Sequence, residues 1–226
     1  IGARFVDALI GAKQRGVAVR VLVDDFAARF TRSSPAKALR RAGVPFGVFN
    51  PPLVPARLNA VHLRNHRKIL VVDGALGFTG GMNIHRDYWA EAPAAGTDEL
   101  SRDLHFRLRG PVVAHLMEVF VDDWLFTTDE ALRGPEWFPS LAPAGDSLAR
   151  GIEAGPDETF ERLRWAYVGA LNAAQRTVRI CTPYFLPDGG IISALDAAAL
   201  RGVDVAIVLP EETDLPRIRW AVIHPP

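Results

Sequence analysis

Apolar residues at Phe5, Ala8, Leu9 and Ala12 recur three and four positions apart, the spacing of one helix face, and Gly16 then breaks the pattern. Val17, Val19, Val21 and Val23 follow in alternation and predict a strand that ends near Asp24 and Asp25. Ser33 or Ser34 with Pro35 has the chemistry of a helix start, Gly43 that of its end, and a strand over 44–49 comes next. Strand, helix, strand with short connections implies parallel pairing through a right-handed crossover. Residues 51–59 hold three prolines and no period, which predicts a surface loop. Two short apolar runs over 69–72 and 76–78 flank Asp73-Gly74, a dipeptide suited to hairpin turns. A strand over 103–108 then runs into Gly110-Pro111 and a helix over 112–126, with Val112, Leu116, Val119, Phe120 and Trp124 on its apolar face.

Residues 127–145 are rich in Pro, Gly and Ala and predict a linker or surface excursion. Beyond them the same grammar returns: a helix over 156–174, a strand over 178–182, a helix over 191–200 and a strand over 203–209. Arg15-Gly16-Val17-Ala18-Val19 is echoed by Arg201-Gly202-Val203-Asp204-Val205, each after a helix, which suggests internal duplication. The expected fold is α/β, with two similar lobes, each a mixed, mainly parallel sheet flanked by helices. The first lobe spans 1–126 and the second begins at 146 and is incomplete at 226. A helical pattern that starts at Ile1 with neither Met nor a capping residue suggests that the sequence begins inside a longer protein.

Composition narrows the chemistry. Of 226 residues, 49% are hydrophobic and 23% charged, the balance of a globular protein, and no apolar run reaches the length of a membrane-spanning helix. Lys and Arg number 26 against 26 Asp and Glu, so no global positive field holds nucleic acid, and anion recognition has to be local. The one cysteine, Cys181, excludes an internal disulfide and, inside the apolar run 178–181, is expected to be a core residue. His62, His85, His105 and His115 lack zinc-ligand spacing, so no metal is expected. Of the scattered tryptophans, most are expected to pack on helix faces, while Trp89 with Tyr88 and the 51–59 loop could form either a greasy rim for lipid or a buried staple.

The informative segment is His66-Arg67-Lys68-Ile69-Leu70-Val71-Val72-Asp73, followed by Gly80-Gly81-Met82-Asn83. Strand alternation places His66 and Lys68 on one face, an imidazole beside an ammonium. A phosphodiester needs that pair: imidazole attacks phosphorus or moves a proton near neutral pH, and ammonium neutralises the non-bridging oxygens. Gly80 and Gly81 would let backbone amides approach a phosphate, and the Asn83 amide can donate to the same oxygens.

His-x-Lys-x4-Asp followed by Gly-Gly-x-Asn resembles the signature of the phospholipase D superfamily. Residues 64–68, Gly80 to Ile84 with Tyr88, Arg102-Asp103 leading to Gly110-Pro111, and the run 182–188 are similar to stretches of its cardiolipin synthase-like branch. The resemblance implies two His-x-Lys-x4-Asp motifs meeting between two lobes, one His taking the phosphoryl group covalently and the other serving as acid and base, with no cofactor. Carried onto this chain, it makes His66 nucleophile or acid/base and Lys68 and Asn83 phosphate ligands. Asp103 becomes the carboxylate that orients a catalytic His, with Asp87 as the fallback. Asp73 belongs to the motif and suits either catalysis or support of the hairpin. A second His-x-Lys-x4-Asp does not occur; His224 is followed by Pro225-Pro226, so the missing half-site has to come from the rest of the chain or another subunit.

The resemblance therefore implies phosphatidyl transfer on a phospholipid such as phosphatidylglycerol, with the protein membrane-associated, at the bacterial cell membrane and facing the cytoplasm. The alternatives are a phospholipase D-like hydrolase, a nuclease of the superfamily, and a catalytically incomplete lipid-binding or structural lobe.

Overall fold

The computed structural model describes residues 2–24, 35–49, 65–85, 88, 103–154, 160–183 and 185–209. The predicted helix start at Ser33 or Ser34, the 51–59 loop, Asp87, Trp89 and His224 lie outside them. The chain divides into two compact units, Ile1–Gly151 and Ile152–Pro226.

In the first unit α1 (Gly2–Gln14), β1 (Val21–Asp24), α2 (Pro35–Arg41) and β2 (Phe46–Phe49) follow the expected order, and β1 and β2 pair in parallel from Val21–Phe46 to Asp24–Phe49. Their partnership limits the ladder to four residues, so Val17 and Val19 stay outside it, and Val19 enters the core with Val6, Leu39 and Val44. The buried face of α1 passes through Val6, Leu9 and Ile10, and Phe5 is exposed.

β3 (Ile69–Val72), β4 (Leu76–Gly80) and β5 (His105–Arg109) form an antiparallel sheet in that order. The expectation of a mainly parallel sheet therefore fails for this part of the unit. The link from β3 to β4 is a tight turn, and a parallel pair needs a crossover of a dozen or more residues. Asp73 (φ 52°) and Gly74 (φ 60°) are both left-handed, and the Ala75 N–H donates to the Val72 carbonyl at 3.1 Å, the arrangement Asp-Gly favours.

Helix α3 (Val112–Thr128) packs against strands of both sheets, burying Val113, Leu116, Met117 and Trp124. Two glycines admit it. A Cβ on Gly77 in β4 would stand 2.8 Å from Leu116 Cδ1, and one on Gly47 in β2 would stand 3.1 Å from Thr127 Cγ2. The helix ends at Asp129, whose φ of 59° turns the chain out of the last turn while its N–H donates to the Leu125 carbonyl.

The segment after α3 lies along the first unit as a strap. Leu132 is buried, and the Glu130 carboxylate accepts from Arg20 Nε and from Trp124 Nε1, both at 2.9 Å. The Arg20 guanidinium lies over the Trp137 ring at 5.6 Å. Pro139 sits so close to Gly74 that a Cβ there would be 2.4 Å from its Cδ. His115 Nδ1 accepts the Gly151 N–H at 3.0 Å, which gives that histidine a latching role.

The second unit contains α4 (Phe160–Ala173), β6 (Thr177–Cys181), α5 (Gly189–Leu200) and β7 (Asp204–Val208), with β6 and β7 parallel. Leu171, Ala194 and Leu195 form its buried cluster. Asp188 caps α5, accepting from the N–H groups of Gly190 at 2.7 Å and Ile191 at 3.1 Å, and Arg164 beside it holds its carboxyl below the usual range. Cys181 is exposed, against the expectation of a core residue: β6 alternates, and its last position falls on the outward face. Trp124 is buried as expected of a helix-face residue, whereas Trp165 is exposed and stacks with Arg164 at 4.9 Å.

The echoed segments share one local geometry. Gly16 (φ 89°) and Gly202 (φ 86°) are left-handed, and the following N–H groups, of Val17 and Val203, donate back to Ala12 and Ala198 at 3.1 Å. Gly43 and Val44 do the same at the end of α2, so the motif is how these helices hand the chain to a strand. Among the described residues no helix is long and apolar enough to cross a membrane.

The strap predicts a stability effect. Arg20 is the main cause of the lowered Glu130 pKa, so this contribution is complete at neutral pH and is lost as the pH falls through the carboxylate range toward the lowered native value. Arg20→Ala should lower stability by about 1 kcal/mol, a figure kept small because Glu130 is 41% exposed. The difference between the denaturant midpoints of wild type and variant should be larger at neutral pH than in acid, where the contact with the Trp137 ring remains.

Candidate active site

His66 and Lys68 precede β3 rather than belonging to it: residues 65–68 are irregular and the ladder starts at Ile69 opposite Thr79. Strand alternation therefore does not set their relation. Side-chain anchors do. Asp123, on α3, accepts from Asn65 Nδ2 at 2.7 Å, and both its oxygens accept from an Arg67 terminal nitrogen at 2.7 Å. The Arg67 N–H in turn donates to Asn65 Oδ1 at 3.1 Å. Asp24, at the end of β1, accepts the Asn65 N–H at 3.0 Å. Residues 65 and 67 are thus held from two directions and His66 is fixed between them, while Lys68 Nζ turns back to donate to the His66 carbonyl at 2.7 Å.

Electrostatics tie the residues together. His66 presents surface, yet enough protein surrounds its ring that lost solvation lowers its pKa; Lys68 lowers it further and Asp24 opposes both. Desolvation also lowers the Lys68 pKa, against the pull of Asp103 and then Asp24. Imidazole, ammonium and two carboxylates therefore share one electrostatic neighbourhood, in which the neutral ring is favoured.

Asp103 lies two residues before β5, and its Oδ1 accepts the Leu104 N–H at 2.6 Å. Gly81 makes its position possible: a Cβ on Gly81 would stand 2.3 Å from both Asp103 carboxylate oxygens. On Gly80 (φ 158°) a Cβ would meet the Leu104 carbonyl oxygen at 2.2 Å. The Gly81 N–H donates to the Leu104 carbonyl at 3.1 Å, so this amide is engaged by the protein and not directed at a ligand. The two glycines seat the acidic residue and the approach to β5. Asn83 is exposed, with Nδ2 3.4 Å from the Tyr88 hydroxyl.

Asp73 is not part of this group. It occupies the left-handed turn at the far end of β3, five residue steps or roughly 16 Å of extended chain from Lys68. Its hairpin role is visible, and the catalytic alternative has no geometry to support it. Sequence patterns do not single out Asp24, Asn65, Arg67 or Asp123 as site residues. The signals they do carry are indirect: Asp24 is an acid at the end of a strand, and Asn65 and Arg67 lie within the 64–68 stretch. Among the described residues no three His, Cys, Asp or Glu side chains cluster as metal ligands.

A histidine, a lysine and two carboxylates thus meet beside a small α/β framework. The family described as cardiolipin synthase, PLD-like domain matches residues 2–124 and 167–224. The chain belongs to that family. Cardiolipin synthase 2 of Bacillus cereus is 36% identical over 223 residues, covering 98% of this chain and 43% of the relative. Major cardiolipin synthase ClsA of Bacillus subtilis is 35% identical over 229 residues, covering 99% and 46%. The cardiolipin synthase of Geobacillus sp. (strain WCH70) is 37% identical over 216 residues, covering 95% and 42%. The chain thus spans less than half the length of these relatives. A solved polyphosphate kinase from Porphyromonas gingivalis overlaps 95% of the chain and 33% of its own at a TM-score of 0.49 and 18% identity, too low to bear on the fold.

Gly81→Ala tests the seating of Asp103. The substitution should leave the fold intact and lower turnover on the order of tenfold or more, since small misplacements of supporting groups are costly. Steady-state rates of the full-length protein, with circular dichroism as the folding control, check it; an unchanged rate would remove Asp103 from the site.

Proposed function

We propose that this chain supplies one half of a phosphatidyltransferase site of cardiolipin synthase type, and that His66 is its nucleophile. The observation that carries the reading is the grouping of a ring kept neutral by its surroundings with Lys68, Asp103 and Asp24. The lone pair of neutral His66 attacks the phosphorus of a phosphatidylglycerol-like lipid as the bond to glycerol breaks. A second acid, contributed by the other half-site, protonates the departing glycerol oxygen and then accepts the proton of a second lipid's hydroxyl. That oxygen takes the phosphorus, and the bond to His66 breaks. Lys68 and Asn83 bind the non-bridging oxygens, whose charge grows in the transition state. Asp103 opposes loss of the Lys68 charge. The wider architecture, two similar lobes facing across one site at a membrane surface, belongs to the same reading.

Labelled phosphatidylglycerol, offered in vesicles to the full-length protein, should give cardiolipin and free glycerol, and a rapid quench in neutral denaturant should leave label on His66. Phosphatidic acid as the main product would mean that water is the acceptor and would overturn the transferase reading. His66→Ala should lower the rate by at least about a thousandfold, the scale expected when a covalent nucleophile is removed. Full turnover by that variant would remove His66 from the mechanism. Because burial and Lys68 lower the His66 pKa, the acid limb of the rate profile should lie below the ordinary range of a histidine.

A further inference from the structure

Asp24 stands at the carboxyl end of β1 in a parallel pair, the end of such strands beside which α/β proteins place ligands. Its Oδ2 reaches across 41 residues of sequence to the Asn65 N–H, the amide immediately before His66. The other anchor of this segment, Asp123, sits against Arg67, so its charge is met locally by a guanidinium. Asp123 takes side-chain donors of this segment, and Asp24 takes a main-chain N–H beside His66.

We propose that Asp24 is a positioning residue of this site, holding the backbone at His66 and supplying the negative charge that His66 and Lys68 share. This rests on the phosphotransfer reading above. Asp24 is named by neither motif of the signature, yet among the described residues it is a carboxylate that acts on both. Charged groups that act on the pair include Asp24 and Asp103, and Arg67, bonded to Asp123, lies between His66 and Lys68 in the chain. When His66 carries the phosphatidyl group its ring is cationic and stands beside an ammonium. A carboxylate bonded to the adjacent amide offsets that like-charge cost without competing for phosphorus.

The experiment uses Asp24→Asn, Asp24→Glu and Asp24→Ala in the full-length protein. Acylation of His66 by diethyl pyrocarbonate, followed by peptide mass spectrometry across pH, reads the neutral fraction of the ring without reference to turnover. Asp24→Asn keeps an acceptor for the Asn65 amide and loses the charge, so the His66 profile and the matching limb of kcat should move to lower pH. Asp24→Glu keeps the charge, and its acylation profile should return toward wild type although kcat stays reduced. Asp24→Ala loses both and should lower kcat on the order of a hundredfold with a smaller change in KM. A purely structural residue would leave the acylation profile of every folded variant at the wild-type position, and that result, or wild-type kcat for Asp24→Asn, overturns the proposal. If the profile moves while His66→Ala retains turnover, the hold of Asp24 on His66 stands and the phosphotransfer reading falls instead.

Discussion

The Asp123 carboxylate is the contact on which the site depends. It is mostly shielded from solvent and lies on a helix that packs against both described sheets of the first unit, and from there it takes hydrogen bonds from Asn65 and Arg67. The segment it holds has no strand ladder of its own, so nothing in β3 would otherwise fix the direction of His66. A shielded carboxylate bonded to a guanidinium and an amide is well satisfied; without Arg67 the same carboxylate would be a costly charge at the helix surface. The rigidity of α3 is thereby passed to the residue proposed to do the chemistry.

That rigidity has its own requirement, which is close approach. α3 reaches the antiparallel sheet because Gly77 has no side chain where Leu116 packs, and it reaches the parallel pair because Gly47 has none beside Thr127 and Thr128. The strap then closes over the far side, with Pro139 lodged at Gly74 and Glu130 bonded to both Arg20 and Trp124. Glycines that look like loose points along strands are therefore the contacts through which the unit is made stiff. Gly81 extends the same device into the site, where the missing side chain leaves room for Asp103.

Much of this is legible in the sequence, for reasons that also mark where legibility ends. The Asp73-Gly74 turn and the helix-ending glycines are encoded locally, and they appear as expected. His66, Lys68 and Asn83 stand out by spacing, because together they resemble a phosphodiester-handling signature. The clamp does not. Asp123 sits on an amphipathic helix where an acid suggests a solvated face, and its partner Arg67 lies 56 residues earlier, with no spacing rule to connect them. Gly80 and Gly81 mislead for a similar reason: a glycine pair near a phosphate motif suggests open amides, and only the folded chain shows the Leu104 carbonyl and the Asp103 carboxylate already against them. Cys181 misleads because apolar neighbours say that a strand is covered, not which face is covered.

The acids of this unit divide the labour of a charged site. A phosphate-binding pair of imidazole and ammonium has to be partly withdrawn from water to act strongly on its ligand, and withdrawal itself pushes both groups toward neutrality. For His66 that push suits the proposed attack, which needs an unprotonated ring. For Lys68 it works against the proposed role, since an uncharged amine no longer balances phosphate. Asp103 addresses this asymmetry by being the larger influence on Lys68, while Asp24 acts on both residues. One carboxylate thus favours the lysine selectively and the other tunes the pair as a whole. A single acid could not hold one neighbour charged and leave the other neutral; two acids, entering from β1 and from the start of β5, can.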